Sequence, residues 1–228
     1  MSFDDAIRLT EMLLAFAFMQ QSIEHLNGAK DEQRLFVVRL ILSLLLFLGV
    51  QPALVCGALV GVGLYALHRF QGPYNGGSDR MGLLLLCGLA LVHILPALQW
   101  QEYVLGYVAL QVVLSYFMAG WVKIVNQDWR NGRALQNVFL FSAYPVSENL
   151  RSLAQRPQLL RVMAWAVMGF EVLFPLSLYS QQTLIAALVI AAIFHGANAC
   201  LFGLNRFFWV WIAAYPSVIW LQHRIFIG

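Results

Sequence analysis

Charged residues are scarce in this sequence. Lysine, arginine, aspartate and glutamate make up 11% of the 228 residues, whereas 61% are hydrophobic. Soluble domains are about one quarter charged, so this composition excludes a water-soluble fold that must hide its apolar surface from water. Four tryptophans near the ends of apolar runs, Trp100, Trp129, Trp209 and Trp220, are typical of rings at the membrane–water interface. We therefore predict an integral membrane protein whose main solvent is the lipid bilayer.

Cysteine is also scarce, and the usual nucleotide-binding motifs are missing. Cys56, Cys87 and Cys200 lie in different apolar runs without CxxC or Cys/His ligand spacing. Such isolated cysteines are expected to be small buried side chains and not to form disulfides, and no metal site is predicted. The sequence has no GxGxxG or GxxxxGK[ST] pattern, which would indicate a dinucleotide site or a P-loop. Basic residues are spread over several short loops, so no nucleic acid partner is predicted.

Apolar segments that are long enough, or nearly long enough, to cross a bilayer recur along the whole chain. A spanning helix needs about 20 largely apolar residues. We count about eight such segments, at residues 6–26, 35–50, 53–69, 81–100, 103–125, 160–179, 183–201 and 207–226. The predicted fold class is an all-α polytopic membrane protein, a bundle of about eight transmembrane helices in one domain over residues 1–228. The first segment is polar and is expected to pack inside the bundle or to lie along the interface.

The basic residues predict an orientation. With eight spans, alternate connections lie on one side, and that side receives Lys30, Arg34, Arg69, Arg80, Arg130, Arg133, Arg151, Arg156 and Arg206. The positive-inside rule then places these connections in the cytoplasm and both termini outside. The predicted location is the bacterial inner (cytoplasmic) membrane.

Ionisable residues inside apolar segments are candidates for function, because each needs a partner, a water-filled cavity or a role. Lys123 lies in QVVLSYFMAGWVKIV, where Ala119, Gly120 and Tyr116 share its helical face. A partly desolvated lysine there is a candidate base with Tyr116 as a substrate-binding neighbour. The alternative is a lysine that extends to the interface and has no chemical role. Glu24 with His25, and His93, are further polar groups of this kind.

Glu171, His195 and Asn198 form the second set of candidates. Glu171 lies near the middle of its segment, before Pro175, and either binds substrate or neutralises a buried lysine or arginine. His195 and Asn198 are three residues apart on one helical face, which suits either a site or hydrogen bonds between helices.

The loop FQGPYNGGSDRM adds two candidates for substrate binding. Asn75 and Asp79 lie in it among glycines that allow a sharp turn and exposed amide groups. A tight connection between two spans would use the same residues, so the loop alone does not indicate a site.

The order of four sequence blocks along the chain is more informative than any one of them. The blocks are YNGGSD, YFMAGWVKIVNQDWRNGRAL, FEVLFP and FHGANACLFGLNRFFWVWIAAYP. Together they resemble the HTTM domain family, which contains vitamin K-dependent γ-glutamyl carboxylase, and the resemblance runs from about Tyr74 to Pro216. It implies that Lys123 is the base that deprotonates a reduced quinone, and that His195 and Asn198 shape its site. The carboxylase has a histidine where YNGGSD offers Gly76, Gly77, Ser78 and Asp79, so this chain departs from the family pattern there.

Two functions are compatible with these features. The resemblance implies a membrane enzyme of carboxylase, epoxidase-like lyase or oxidoreductase type, with base chemistry from Lys123 on a quinone-like or peptide substrate, a reduced quinone cofactor, and peptide maturation as one example. The alternative is a non-catalytic subunit that binds lipid or quinone, or that holds partner membrane proteins through small-residue helix faces. Retention of Lys123 favours the enzyme, and the lack of an extramembrane domain favours the subunit.

Overall fold

The structure is a computed structural model, and it describes residues 1–28, 30–69, 77–141 and 148–226. Regular secondary structure in these ranges is entirely helical, which confirms the predicted all-α class. The α-helices there are α1 (Phe3–Glu24), α2 (Lys30–Leu48), α3 (Pro52–Arg69), α4 (Gly77–Ile94), α5 (Leu98–Val125), α6 (Gln127–Arg130), α7 (Arg133–Phe141), α8 (Glu148–Arg151), α9 (Pro157–Leu173), α10 (Gln181–Phe202) and α11 (Asn205–Phe226). Short 3₁₀ helices cover His25–Asn27, Ser152–Gln155 and Phe174–Tyr179.

Small polar residues, proline and glycine set several helix ends. The Ser2 hydroxyl accepts a hydrogen bond from the Asp5 amide and so begins α1, while Ser180 and Thr183 form a reciprocal capping box at the start of α10. α10 ends at Phe202, and the left-handed backbone of the next residue, Gly203, lets the chain turn into α11. Pro175 follows the end of α9, where the helix tightens into the 3₁₀ segment.

Five helices in the described ranges are long and apolar enough to cross a membrane. They are Pro52–Arg69, Gly77–Ile94, Leu98–Val125, Pro157–Tyr179 (α9 with its 3₁₀ continuation) and Gln181–Phe202. Only 22 to 39% of the residues in their most apolar windows are buried inside the protein. The rest of their apolar surface is therefore available to lipid, which supports an integral membrane protein.

The predicted count of about eight spans is not confirmed. Helices cover most of each predicted segment, although the segment 81–100 is broken where α4 ends at Ile94 and α5 begins at Leu98. α1, α2 and α11 are not among the helices that are long, apolar and uncharged enough to cross a membrane. α1 and α2 each carry several charges, such as Glu11 in α1 and Arg39 in α2. α11 combines tryptophan, tyrosine and proline with a polar last turn, which lowers its mean hydropathy. Polar residues packed inside a protein make such helices hard to classify by composition.

The described chain divides into two compact units, Met1–Leu110 with Arg206–Gly228, and Gln111–Asn205. In the first unit α1 packs against α2 and α4, and α3 packs against α2 and α4. α1 takes an inner position despite its polarity, because Thr10 and Ser22 donate to backbone carbonyls of their own helix and Glu11 is buried with partners. The single domain over residues 1–228 stays a prediction.

The second unit contains the last part of α5 and helices α6 to α10. α7 packs against α9, and the 3₁₀ segment Phe174–Tyr179 packs against α10. A small core formed by Phe139, Ala154, Leu160 and Phe202 joins α7, the 3₁₀ segment Ser152–Gln155, α9 and α10. The connection between α5 and α9 thus contains several short helices in its described residues, and α6, α7 and the 3₁₀ segment Ser152–Gln155 pack against α9.

Candidate functional site

An ion pair links Lys123 on α5 to Glu171 on α9. The Lys123 Nζ atom donates to both Glu171 carboxylate oxygens at 2.6 Å. The Glu171 side chain is 5% exposed and that of Lys123 is 19% exposed. The ammonium also lies 5.3 Å from the ring centre of Trp129, a cation–π distance. The structure thus gives Glu171 a lysine partner, one of the two roles that the sequence suggested for it, and Lys123 is held by this carboxylate.

Gly120 allows the close approach that forms this pair. A Cβ atom at Gly120 would lie 2.7 Å from Val172 Cγ2, 2.8 Å from Glu171 Cβ and 2.8 Å from the Val172 backbone nitrogen. Small residues at helix contacts let two backbones come close together in membrane proteins. Gly120 is one turn before Lys123, so it brings α9 to the level at which the lysine meets Glu171.

We expect Gly120→Ala to lower the free energy of unfolding by about 1–3 kcal/mol, because the methyl group would push against the α9 backbone. Gly169→Ala is a matched control on α9, where a Cβ atom would meet no atom within 4 Å. Unfolding by denaturing detergent of the purified variants would measure both changes. Equal stability of the two variants would contradict the close approach.

Tyr116 and His195 form a second polar pair, between α5 and α10. The Tyr116 hydroxyl and His195 Nε2 are 2.8 Å apart, and both residues are buried. Tyr116 stacks on Phe174 with ring centres 4.1 Å apart, and Phe170 meets Tyr116 edge-on at 6.1 Å. Aromatic packing therefore fixes the phenol, while the histidine supplies its hydrogen-bond partner.

The two pairs share helical faces. Tyr116, Gly120 and Lys123 are spaced by about one turn each along α5, and Phe170, Glu171 and Phe174 meet them from α9 and its 3₁₀ continuation. α10 joins through His195. The structure thus brings together four of the residues predicted from the sequence. Phe170 and Phe174 were missed, and their signal was the aromatic spacing around Glu171 in GFEVLF.

Three other predicted site residues are not among the described contacts of the two pairs. Asn198 is one turn after His195 on α10 and half-buried, and its side chain forms no hydrogen bond to the part of the chain that is described. Asp79 belongs to the first unit, in the first turn of α4, where it accepts a hydrogen bond from Gln21 at 3.4 Å. Asn75 lies outside the described residues.

The other polar residues that the sequence singled out, Glu24, His25 and His93, have partners within the first unit. Glu24 pairs with Arg206 at 3.0 Å, and Arg206 also donates to His25, which contacts Glu32. Burial, followed by the nearby Arg206 charge, lowers the pKa of His25. His93 is 2.5 Å from a carboxylate oxygen of Glu11. The sequence identified these residues as polar but did not predict their partners.

A family model described as HTTM domain matches residues 96–222, more than half of the chain. The match includes α5, α9, α10 and most of α11, and therefore every residue of the two polar pairs. No curated protein and no solved structure matches the chain. The resemblance read from the sequence motifs is confirmed, and the chain belongs to the HTTM domain family.

Proposed function

We propose that this protein is a membrane-embedded enzyme in which Lys123 acts as a general base on a quinone-like substrate, with a peptide as the second substrate class. The observation that carries the proposal is the ion pair between the half-buried Lys123 and the buried Glu171. An ionisable group at membrane depth is costly and usually has a function. A lysine that only anchored the helix would extend its ammonium towards water, but this ammonium is bound to a carboxylate.

The pair also supplies a route for the proton. When the Lys123 ammonium passes one proton to Glu171, the products are a neutral amine and a neutral carboxylic acid. The amine can then take the proton of a substrate O–H group and leave an oxyanion. Glu171 is in direct hydrogen-bond contact with Nζ, which is the geometry that general acid–base chemistry requires. In this scheme Lys123 is the catalytic residue and Glu171 is its proton partner.

The surroundings of the pair are rich in aromatic and polar side chains, which supports a flat, partly polar substrate. Phe170, Phe174 and Trp129 provide ring faces or edges close to Lys123 or Tyr116, and rings of this kind stack on planar ligands. The hydrogen-bonded Tyr116 and His195 offer a hydroxyl and an imidazole that can orient an oxygen of the substrate. Asn198, on the same helix as His195, has amide groups left for a ligand. A reduced quinone would supply the acidic O–H group on which Lys123 acts.

A non-catalytic subunit is the second candidate, and one observation favours it. Both carboxylate oxygens of Glu171 are satisfied by Lys123, as expected of an ion pair whose only role is to join α5 to α9. In that case the exposed apolar faces of the spanning helices would contact partner membrane proteins as well as lipid. For either function, we propose that the protein lies in the bacterial inner membrane. This location rests on the segregation of the basic residues to alternate connections between the helices.

Purification of the wild-type protein and of Lys123→Arg from the same cells, in mild detergent, distinguishes the two functions. We expect mass spectrometry to find a quinone or a peptide precursor on both proteins, with its unreacted form enriched on the arginine variant. The arginine variant would still bind substrate, since arginine keeps the charge but cannot accept a proton. A stoichiometric membrane protein retained equally by both, with no such small molecule, would favour the subunit.

A further inference from the structure

A cleft of about 460 Å³ opens within the first unit. Its lining comes from the first turns of α1, from Gly49 and Pro52 between α2 and α3, from the end of α4 near His93, and from the start of α5 near Gln101. α3, α4 and α5 are three of the five helices able to cross a membrane, so their ends mark the level of the bilayer surface. The HTTM match begins at residue 96, and most of the cleft comes from residues before it.

The buried part of the cleft holds a charged network whose groups already satisfy one another. Arg8 donates to Glu11 at 2.9 Å and to the carbonyl oxygens of Leu46 at 3.0 Å and Phe47 at 2.5 Å, at the end of α2. The other Glu11 oxygen is 2.5 Å from His93 Nε2. The charges of Arg8 and Glu11 therefore balance each other, and Arg8 has few hydrogen-bond donors left for an anion.

The polar groups that are left in the cleft are acceptors. The Asp4 carboxylate is exposed and forms no hydrogen bond or ion pair within the described ranges. Gln101 donates its amide to the Leu95 carbonyl at 2.7 Å, which leaves its oxygen available. Asp4 therefore brings to the cleft a carboxylate that has no partner in this network.

The remaining walls are apolar, with Ile7, Leu48 and Val92 among them. Ligand clefts of this size combine apolar walls with a few polar groups that fix the ligand's orientation. The Asp4 carboxylate and the Gln101 amide oxygen, which have no donor of their own within the described ranges, match a primary ammonium group, which has three N–H donors and one positive charge. We propose that this cleft binds a primary ammonium group carried by an amphipathic molecule, with the ammonium at Asp4 and the apolar part against the walls. The ammonium could belong to an ethanolamine lipid headgroup or to a free amphipathic amine.

The first experiment places the whole protein in bilayer discs of equal phosphatidylethanolamine and phosphatidylcholine, and native mass spectrometry counts the lipids that stay bound. We expect about 10-fold enrichment of phosphatidylethanolamine, as one charge-assisted hydrogen bond would give. The enrichment should fall stepwise as the headgroup nitrogen is methylated, a series that needs no mutation. It should disappear in Asp4→Asn and persist in Asp5→Asn, the same charge change one position along α1 and outside the cleft lining.

A second experiment separates the two sources of the ammonium. In discs of phosphatidylcholine alone, octylammonium is titrated against octyltrimethylammonium, which has no N–H donor. Saturable binding of octylammonium, weakened about 10-fold by Asp4→Asn, without any lipid preference in the first experiment would assign the site to a free amine. If neither the headgroup series nor the two amines are distinguished, or if Asp4→Asn and Asp5→Asn behave alike, the proposal is overturned.

Discussion

Replacing Lys123 with methionine is expected to lower the free energy of unfolding by about 3–5 kcal/mol, because it leaves Glu171 buried without its counter-charge. The double replacement of Lys123 and Glu171 by methionine should regain most of this loss, since two apolar side chains of similar volume need no charged partner. Unfolding of the purified variants in detergent measures the three free energies.

An exposed ion pair in the same unit provides the control. Arg133 and Asp128 are 3.6 Å apart, with side chains 67% and 54% exposed. Arg133→Met should therefore change the free energy of unfolding by no more than about 1 kcal/mol. A loss in Lys123→Met as small as that of Arg133→Met would show that the Lys123–Glu171 pair is not shielded from water.

Replacing Lys123 with arginine is expected to leave folding intact and to lower activity by about 10² to 10⁴-fold. Arginine keeps the positive charge and can bind Glu171 through two N–H groups, so the contact between α5 and α9 should survive. Its guanidinium stays protonated and cannot take a proton from a substrate. Activity is measured as restoration of the phenotype of a strain that lacks the gene, normalised to the amount of protein in the membrane.

The control for this substitution is Lys30→Arg. Lys30 is the only other lysine in the chain, and it lies exposed at the start of α2. The same chemical change there should have no effect on the phenotype. Full function of Lys123→Arg would exclude Lys123 as a base and would leave the non-catalytic subunit as the better explanation.

Hydropathy alone predicted the positions of the long helices, because long apolar runs in a bilayer must be helical to satisfy their backbone hydrogen bonds. It could not determine how many of them span the membrane. α1 contains Glu11, whose carboxylate is satisfied by Arg8 three residues before it and by His93 eighty-two residues after it. A charge that is neutralised by a distant partner looks the same in sequence as a charge that faces water.

For the site residues, too, the sequence did not reveal which distant side chains become partners. The sequence predicted that Lys123 and Glu171 each needed a partner, but forty-eight residues separate them and no local pattern connects the two. Gly120 was the clearest sequence feature that pointed to a neighbouring helix at Lys123. A glycine within an apolar helix, one turn before a lysine, indicates that another helix packs closely at that level. The stacking of Phe174 on Tyr116 depends on the point at which α9 tightens into the 3₁₀ segment after Leu173. The position of Pro175 suggested this point, but it did not determine which way the Phe174 ring faces.

The most direct test of Lys123 as a base is the protonation state of a bound hydroquinone. The probe is 2-methyl-1,4-naphthohydroquinone, added without oxygen to the protein in bilayer discs, and the measurement is its ultraviolet absorption. We expect the wild-type protein to give the red-shifted spectrum of the hydroquinone monoanion, saturating at one probe per chain, because Lys123 takes the O–H proton. Lys123→Arg should give only the spectrum of the neutral probe. Identical spectra for the two proteins would contradict the proposed base.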